Sequence, residues 1–126
     1  MKLFFEQNSL PEDIKKVFTA NYPFLKIEFY KNPLIKSLYK KETIPAHLPL
    51  IQQMKKQSET VINIDRNKTV AELENDFLSI GLKAEVFRKS GNVWVETSLT
   101  NNWTLQQQNA AAEELSRHFA TTAKSF

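Results

Sequence analysis

The stretch LKIEFYK, from Leu25 to Lys31, returns as LKAEVFR from Leu82 to Arg88. Leucine, lysine and glutamate recur at the same places, and the other four pairs are alike in kind. Both stretches alternate apolar and polar residues, the period of a strand with one buried face. What precedes them agrees as well. In the first copy Leu3 to Phe5 reads as a short strand, and Ser9 with Glu12 has the capping-box spacing that opens a helix. Pro11 falls in the first turn, where its missing N–H costs little, and Ile14, Val17 and Phe18 share one face before Pro23 ends the helix. In the second copy Thr60 to Asp65 reads as a strand, Thr69 and Glu72 as the capping box, and Val70, Leu73 and Phe77 as the apolar stripe. Gly81 can take the left-handed conformation that closes a helix. Cap and strand are 16 residues apart in the first copy and 13 in the second, so an insertion near Tyr22-Pro23 is required. The shared order of cap, helix and strand predicts a duplicated β-α-β unit, each right-handed if its two strands run parallel in one sheet.

The second copy continues into a hairpin. Lys83 to Lys89 and Val93 to Leu99 flank Ser90-Gly91-Asn92, a turn signal. With Gly91-Asn92 as the turn, Lys89 faces Trp94. With Ser90-Gly91, Phe87 faces Trp94 but Glu85 opposes Glu96, a repulsive pair, so the first register is preferred. Thr104 and Gln107 repeat the capping box before a final helix that runs to Phe119. Its stripe of Leu105, Ala112, Leu115 and Phe119, with Gln108 and Ala111 beside it, is thin, so this helix is expected at an edge, with the tail from Thr121 frayed. Residues 32–58 carry Pro33, Pro45 and Pro49, which forbid one continuous helix. A structureless loop of that length inside a domain is unusual, so the segment is expected to cover part of the sheet or to act as a functional insert.

These readings predict an α+β fold in a single domain over residues 1–126. Two related β-α-β units, at about 1–31 and 59–99, form a mixed sheet with helices on one face. The proline-interrupted connector 32–58 joins them, and a C-terminal hairpin and a helix at 104–119 follow.

Composition removes many functions. The chain has no cysteine, which excludes disulfides, thiolate metal sites and cysteine nucleophiles. Its two glycines cannot supply a P-loop or a dinucleotide fingerprint. His47 and His118 are the only histidines and have no zinc-binding spacing. Each could still act alone as a general base, which keeps an enzyme as the least favoured reading. The paired acids Glu12-Asp13 and Glu113-Glu114 lie on expected helix surfaces with no reason for shifted pKa values. No catalytic residue, metal ligand or cofactor is assigned. No apolar run reaches the roughly 20 residues of a membrane helix, and the apolar part of MKLFFEQN is too short for a signal sequence. A cytoplasmic location and no membrane partner are expected.

The net charge is +3. Between Lys31 and Lys56 lie six lysines and one acid, so this segment carries +5 and the remainder −2. Lys36, Lys40, Lys41, Lys55 and Lys56 are candidate anion or nucleic-acid contacts. The segment has no arginine, the usual reader of phosphate, and also reads as a solvated connector. Phe87, Arg88, Lys89, Trp94 and Trp103 gather aromatic rings and cations at the hairpin, a combination suited to a protein partner or to single-stranded nucleic acid. The same residues also read as structure, with Phe87 and Trp94 under the last helix and Trp103 fixing its entry.

VFRKSGNVWVET (Val86 to Thr97), followed by WTLQQQN (Trp103 to Asn109), resembles a family of small uncharacterised bacterial proteins, mainly from the Bacteroidetes. FLKIEFYK and the helix before it resemble the same family. The resemblance implies a compact duplicated α/β domain and hands over no catalytic residue. Gly91 is explained by the turn, and Thr104 and Gln107 by the cap. Arg88, Gln108 and Asn109 are not explained in this way. With Lys89, Trp94 and Trp103 they form the candidate binding surface of a protein-interaction domain, whose partner is another protein or a second copy.

Overall fold

In a computed structural model of the chain, which describes residues 1–31 and 42–124, helices and antiparallel strands form an α+β fold. The first half supplies β1 (Lys2–Phe5), α1 (Pro11–Asn21) and β2 (Leu25–Lys31). The second supplies β3 (Thr60–Asn63), α2 (Val70–Ser79), β4 (Leu82–Ser90) and β5 (Val93–Glu96), and α3 (Leu105–Lys124) closes the chain.

The strands pair between the halves. β1 lies antiparallel to β3, and β2-β4-β5 form a second antiparallel sheet. The expected mixed sheet is therefore two antiparallel sheets. β1 and β2 belong to different sheets, as do β3 and β4, so neither unit makes the parallel pair to which the handedness rule applies. Leu3 faces Ile62, and Glu28 faces Glu85. The second pair sets like charges directly opposite, an unfavourable arrangement. Lys15 and Lys26 offset it by standing 2.8 Å and 3.7 Å from Glu28.

One apolar cluster holds both sheets to the helices. Leu25, Ile27 and Phe29 of β2 and Leu82, Ala84 and Val86 of β4 meet Ile14 and Phe18 of α1 and Leu73 and Phe77 of α2. The connector contributes as well. Leu50 to Gln53 make one short 3-10 turn, and Leu50, Ile51 and Met54 are buried. The Leu50 N–H bonds the Ser9 carbonyl and the Lys55 N–H the Ile80 carbonyl, so the segment is tied to an end of each of two helices.

Two helix boundaries differ from expectation. The N-cap of α1 is Leu10, not Ser9. Asp13 accepts from the Leu10 N–H, while the Ser9 hydroxyl takes the Glu6 N–H in the preceding turn. The last helix continues beyond Phe119 to Lys124, which includes most of the expected frayed tail. It also shares its start with α2. The Val70 and Ala71 N–H groups bond the Trp103 and Asn101 carbonyls, and the Leu105 and Gln106 N–H groups bond those of Lys68 and Arg66. Each helix thus has orphan first-turn donors satisfied by the loop that leads into the other. The Thr69/Glu72 and Thr104/Gln107 capping boxes form as the spacing predicts.

Candidate functional site

The hairpin takes the preferred register, with Lys89 opposite Trp94 and Gly91 at φ +63° in the turn. Strand alternation then divides the expected cluster between two faces. Val86 points into the core, so Arg88 lies on the same face and Phe87 and Lys89 on the other.

Arg88 reaches the last helix. Its Nη1 donates to Gln108 Oε1 at 3.2 Å, and its guanidinium carbon lies 5.6 Å from the Trp103 ring centroid. Gln108 is fully buried. Its Nε2 donates to the Thr100 carbonyl at 2.7 Å and to Thr100 Oγ1 at 2.8 Å. The neighbouring Asn109 accepts from the Phe24 N–H at 2.8 Å, which ties the start of β2 to α3. These three residues bind the helix to the sheet. Gln108→Leu leaves the Arg88 donor and the Thr100 carbonyl without that partner, so unfolding free energy falls by about 1–3 kcal/mol. Urea denaturation monitored by circular dichroism measures it. Unchanged stability would sink the tether.

The opposite face of β2-β4-β5 carries no member of the core cluster. Lys26 stands between two rings there, its Nζ 5.3 Å from the centroids of both Phe87 and Trp94. Phe87 and Trp94 therefore do not pack beneath α3. The charges of this face are Lys26, Lys83 and Lys89 against Glu28, Glu85 and Glu96, three of each sign. Trp94 is 37% exposed.

The other candidates are dispersed. Lys36, Lys40 and Lys41 lie outside the described residues. Lys55 and Lys56 are exposed beside a cavity of about 320 Å³ that Met54 and Ile80 also line. His47 is exposed in a turn of the connector and His118 is exposed on α3. Among the described residues no three acidic or histidine side chains are placed to hold a metal ion, and no helix is long and apolar enough to cross a membrane.

Among the described residues three ionisable groups have shifted pKa values, and one of them, Glu72, is held below the usual carboxylate range by its hydrogen bonds to the Thr69 backbone and side chain. Burial pushes the Tyr22 phenol up to about 12 from 10.0, Arg66 partly counters this, and Asp65 adds to it. Tyr22 donates to the Ile64 carbonyl at 2.6 Å. The unfolded chain releases this proton near pH 10 and the folded chain only near 12. Stability present below pH 10 is therefore lost as the pH rises to 12. Tyrosinate absorbance should show one of the three phenols titrating late, and the absence of any late-titrating phenol in the folded protein would refute it. Glu74 on α2 is also held above the usual carboxylate range, first by burial and then by Glu85, against the Val86 N–H bond and Lys83.

Sequence reading did not single out Lys26 or Glu74. Lys26 was visible as a polar position of an alternating strand, but its place beside Trp94 depends on the β2–β4–β5 register. Glu74 gave no signal, because its burial arises where α2 meets β4. No protein-family model matches this chain, and no curated protein or solved structure is similar to it.

Proposed function

We propose that the chain is a non-enzymatic protein-interaction domain that works in the cytoplasm and meets its partner on the open face of β2-β4-β5. The observation that carries this reading is the Phe87–Lys26–Trp94 stack on a sheet face that the core cluster leaves free. Exposed tryptophan anchors protein contacts because it buries a large rigid surface at little entropic cost. The balance of three cations and three anions disfavours a polyanion, which needs a net positive field. Nucleic-acid binding through the connector lysines is the second reading.

The internal repeat belongs to the same proposal. Leu3 and Ile62, Ile14 and Leu73, and Phe18 and Phe77 are each 59 residues apart and all buried, which supports duplication. Membership of the bacterial family with the VFRKSGN and WTLQQQN stretches is proposed on those residues alone.

Trp94→Ala tests the reading. Immobilised wild-type domain retains a partner from lysate in the presence of nuclease, and the variant loses it at least about tenfold, with melting temperature unchanged. Equal retention by the variant would move the site elsewhere. Capture that nuclease abolishes would favour the second reading.

A further inference from the structure

The smaller sheet has only two strands, so β1 has an outer edge with no described strand beside it. The Ile64 N–H bonds the Met1 carbonyl, which fixes how the β1–β3 ladder alternates. Leu3 and Ile62 turn their N–H and C=O groups toward each other, while Lys2 and Phe4 turn theirs to the outer edge. Among the described residues no hydrogen bond reaches the main chain of Lys2 or Phe4. The edge is also open to solvent. Phe4 is 60% exposed, Lys2 and Glu6 are exposed, and only Leu3 and Phe5 of the strand are buried. Phe4 stands opposite Val61 on the outward face, and the two leave an apolar pair uncovered.

The order of residues along β1 decides what fits against it. Residues 2–6 read Lys-Leu-Phe-Phe-Glu, with a cation at one end, an anion at the other and apolar side chains between. Among the described residues neither Lys2 nor Glu6 has a salt-bridge partner. Reversed beside itself about Phe4, the stretch is its own complement. Phe4 faces Phe4 of a second copy, Leu3 faces Phe5, and Lys2 faces Glu6. The two Phe4 residues form a hydrogen-bonded pair, because the outward groups of each meet those of the other. The Lys2 N–H reaches the Glu6 carbonyl, whose second lone pair accepts it beside the Ser9 N–H. The Glu6 N–H stays with the Ser9 hydroxyl. The outer edge of β3 has no such match. Reversed about Val61 it sets Asn63 against Glu59, and about Ile62 it sets Glu59 against Asp65, a repulsive pair.

We propose that β1 pairs antiparallel with β1 of a second copy, so that two chains share a four-stranded sheet in the order β3-β1-β1-β3. Main-chain hydrogen bonds hold such a pair, and the facing rings and opposite charges stabilise it. A lysine on an edge strand ordinarily blocks strand addition. Here the second copy supplies the carboxylate that matches it, so the same lysine turns other strands away and admits this one. The two-fold uses each β1 edge once, so the assembly closes at two copies. The contact is small, of the weak class below about 1,200 Å², and the dimer is expected at roughly 0.1–1 mM chain. The edge belongs to the other sheet from the Trp94 face, so either proposal can fail alone.

Sedimentation equilibrium of the full chain from about 20 μM to about 1 mM should show a monomer–dimer equilibrium. Lys2→Glu sets two carboxylates together at each end of the pairing, and Glu6→Lys sets two ammonium groups together. Each variant alone therefore weakens the dimer about fivefold or more. Mixed in equal amounts, the two variants pair with each other and recover the wild-type affinity, because every introduced charge then faces an opposite one. Both positions are exposed, and unchanged urea unfolding verifies that the variants fold. In a mixture of labelled and unlabelled wild-type chains, an NOE between Leu3 Hα and Phe5 Hα of the second copy reports the register. Trp94→Ala leaves the dimer intact. Absence of a dimer at about 1 mM overturns the proposal. So does a dimer that Lys2→Glu leaves unchanged, which is what contact through another face would give, or a mixture that recovers nothing. Species that keep growing beyond two copies would show open-ended strand stacking, and the proposal would fall.

Discussion

Phe77→Ala should lower the free energy of unfolding by about 3–5 kcal/mol, the range for deleting a buried phenylalanine ring. Phe77 has no exposed surface. Its ring meets Phe5 edge-on at 5.8 Å between centroids and Phe29 at 5.3 Å. Phe5 is on β1 and Phe29 on β2, so one side chain of α2 joins the two sheets. Alanine would leave a cavity bounded by three separate elements, which cannot close without moving a strand. A domain of this class has about 5–15 kcal/mol in total, so the variant is expected near the threshold of folding. Urea titration measures the loss. A drop below about 1 kcal/mol would mean that the ring does not join the sheets.

Gly81→Ala should be nearly as damaging, for two separate reasons. Gly81 has φ +90°, a conformation that costs a residue with a side chain about 1–3 kcal/mol. A Cβ there would also lie 2.9 Å from the Lys55 backbone nitrogen and 2.9 Å from Lys55 Cγ. The side chain can swing away, but the nitrogen is held by its bond to the Ile80 carbonyl at 3.0 Å. Relieving the contact detaches the connector from the end of α2, and overpacking of this kind adds about 1–3 kcal/mol. Gly91→Ala is the internal comparison, because at φ +63° it meets the conformational penalty without Lys55 beside it. Equal losses at the two positions would show that the close approach of Lys55 does not matter.

Local patterns were legible in the chain and distant pairings were not. Alternation located β2 and β4, capping boxes located the starts of α2 and α3, and repulsion between Glu85 and Glu96 selected the register that is seen. Each of these signals lies within a few residues. The pairing of β1 with β3 joins residues some sixty positions apart, and the apolar pattern of Leu3 to Phe5 suits many partners. Ser9 carries a good capping side chain, but Pro11 at the first helical position leaves Leu10 as the cap. The reciprocal capping of α2 and α3 uses main-chain carbonyls, which leave no mark on residue type. The candidate site shows the same division. Once Val86 is read as inward, Arg88 follows by alternation, so the separation of Arg88 from Lys89 and Trp94 was available from period two. The burial of Gln108 was not, because its partners come from β4 and from the turn at Thr100.

Pairing between the halves has one more consequence. β1 and β2 find their strand neighbours in β3 and β4, so two copies of the chain could exchange halves and keep every strand pair. Contact energy then cannot favour the self-contained form over the exchanged one. The difference is the effective concentration at which the connector presents one half to the other, set against the concentration of other copies. The proline-interrupted segment between the halves thus decides by entropy whether this chain counts as one molecule or as half of two.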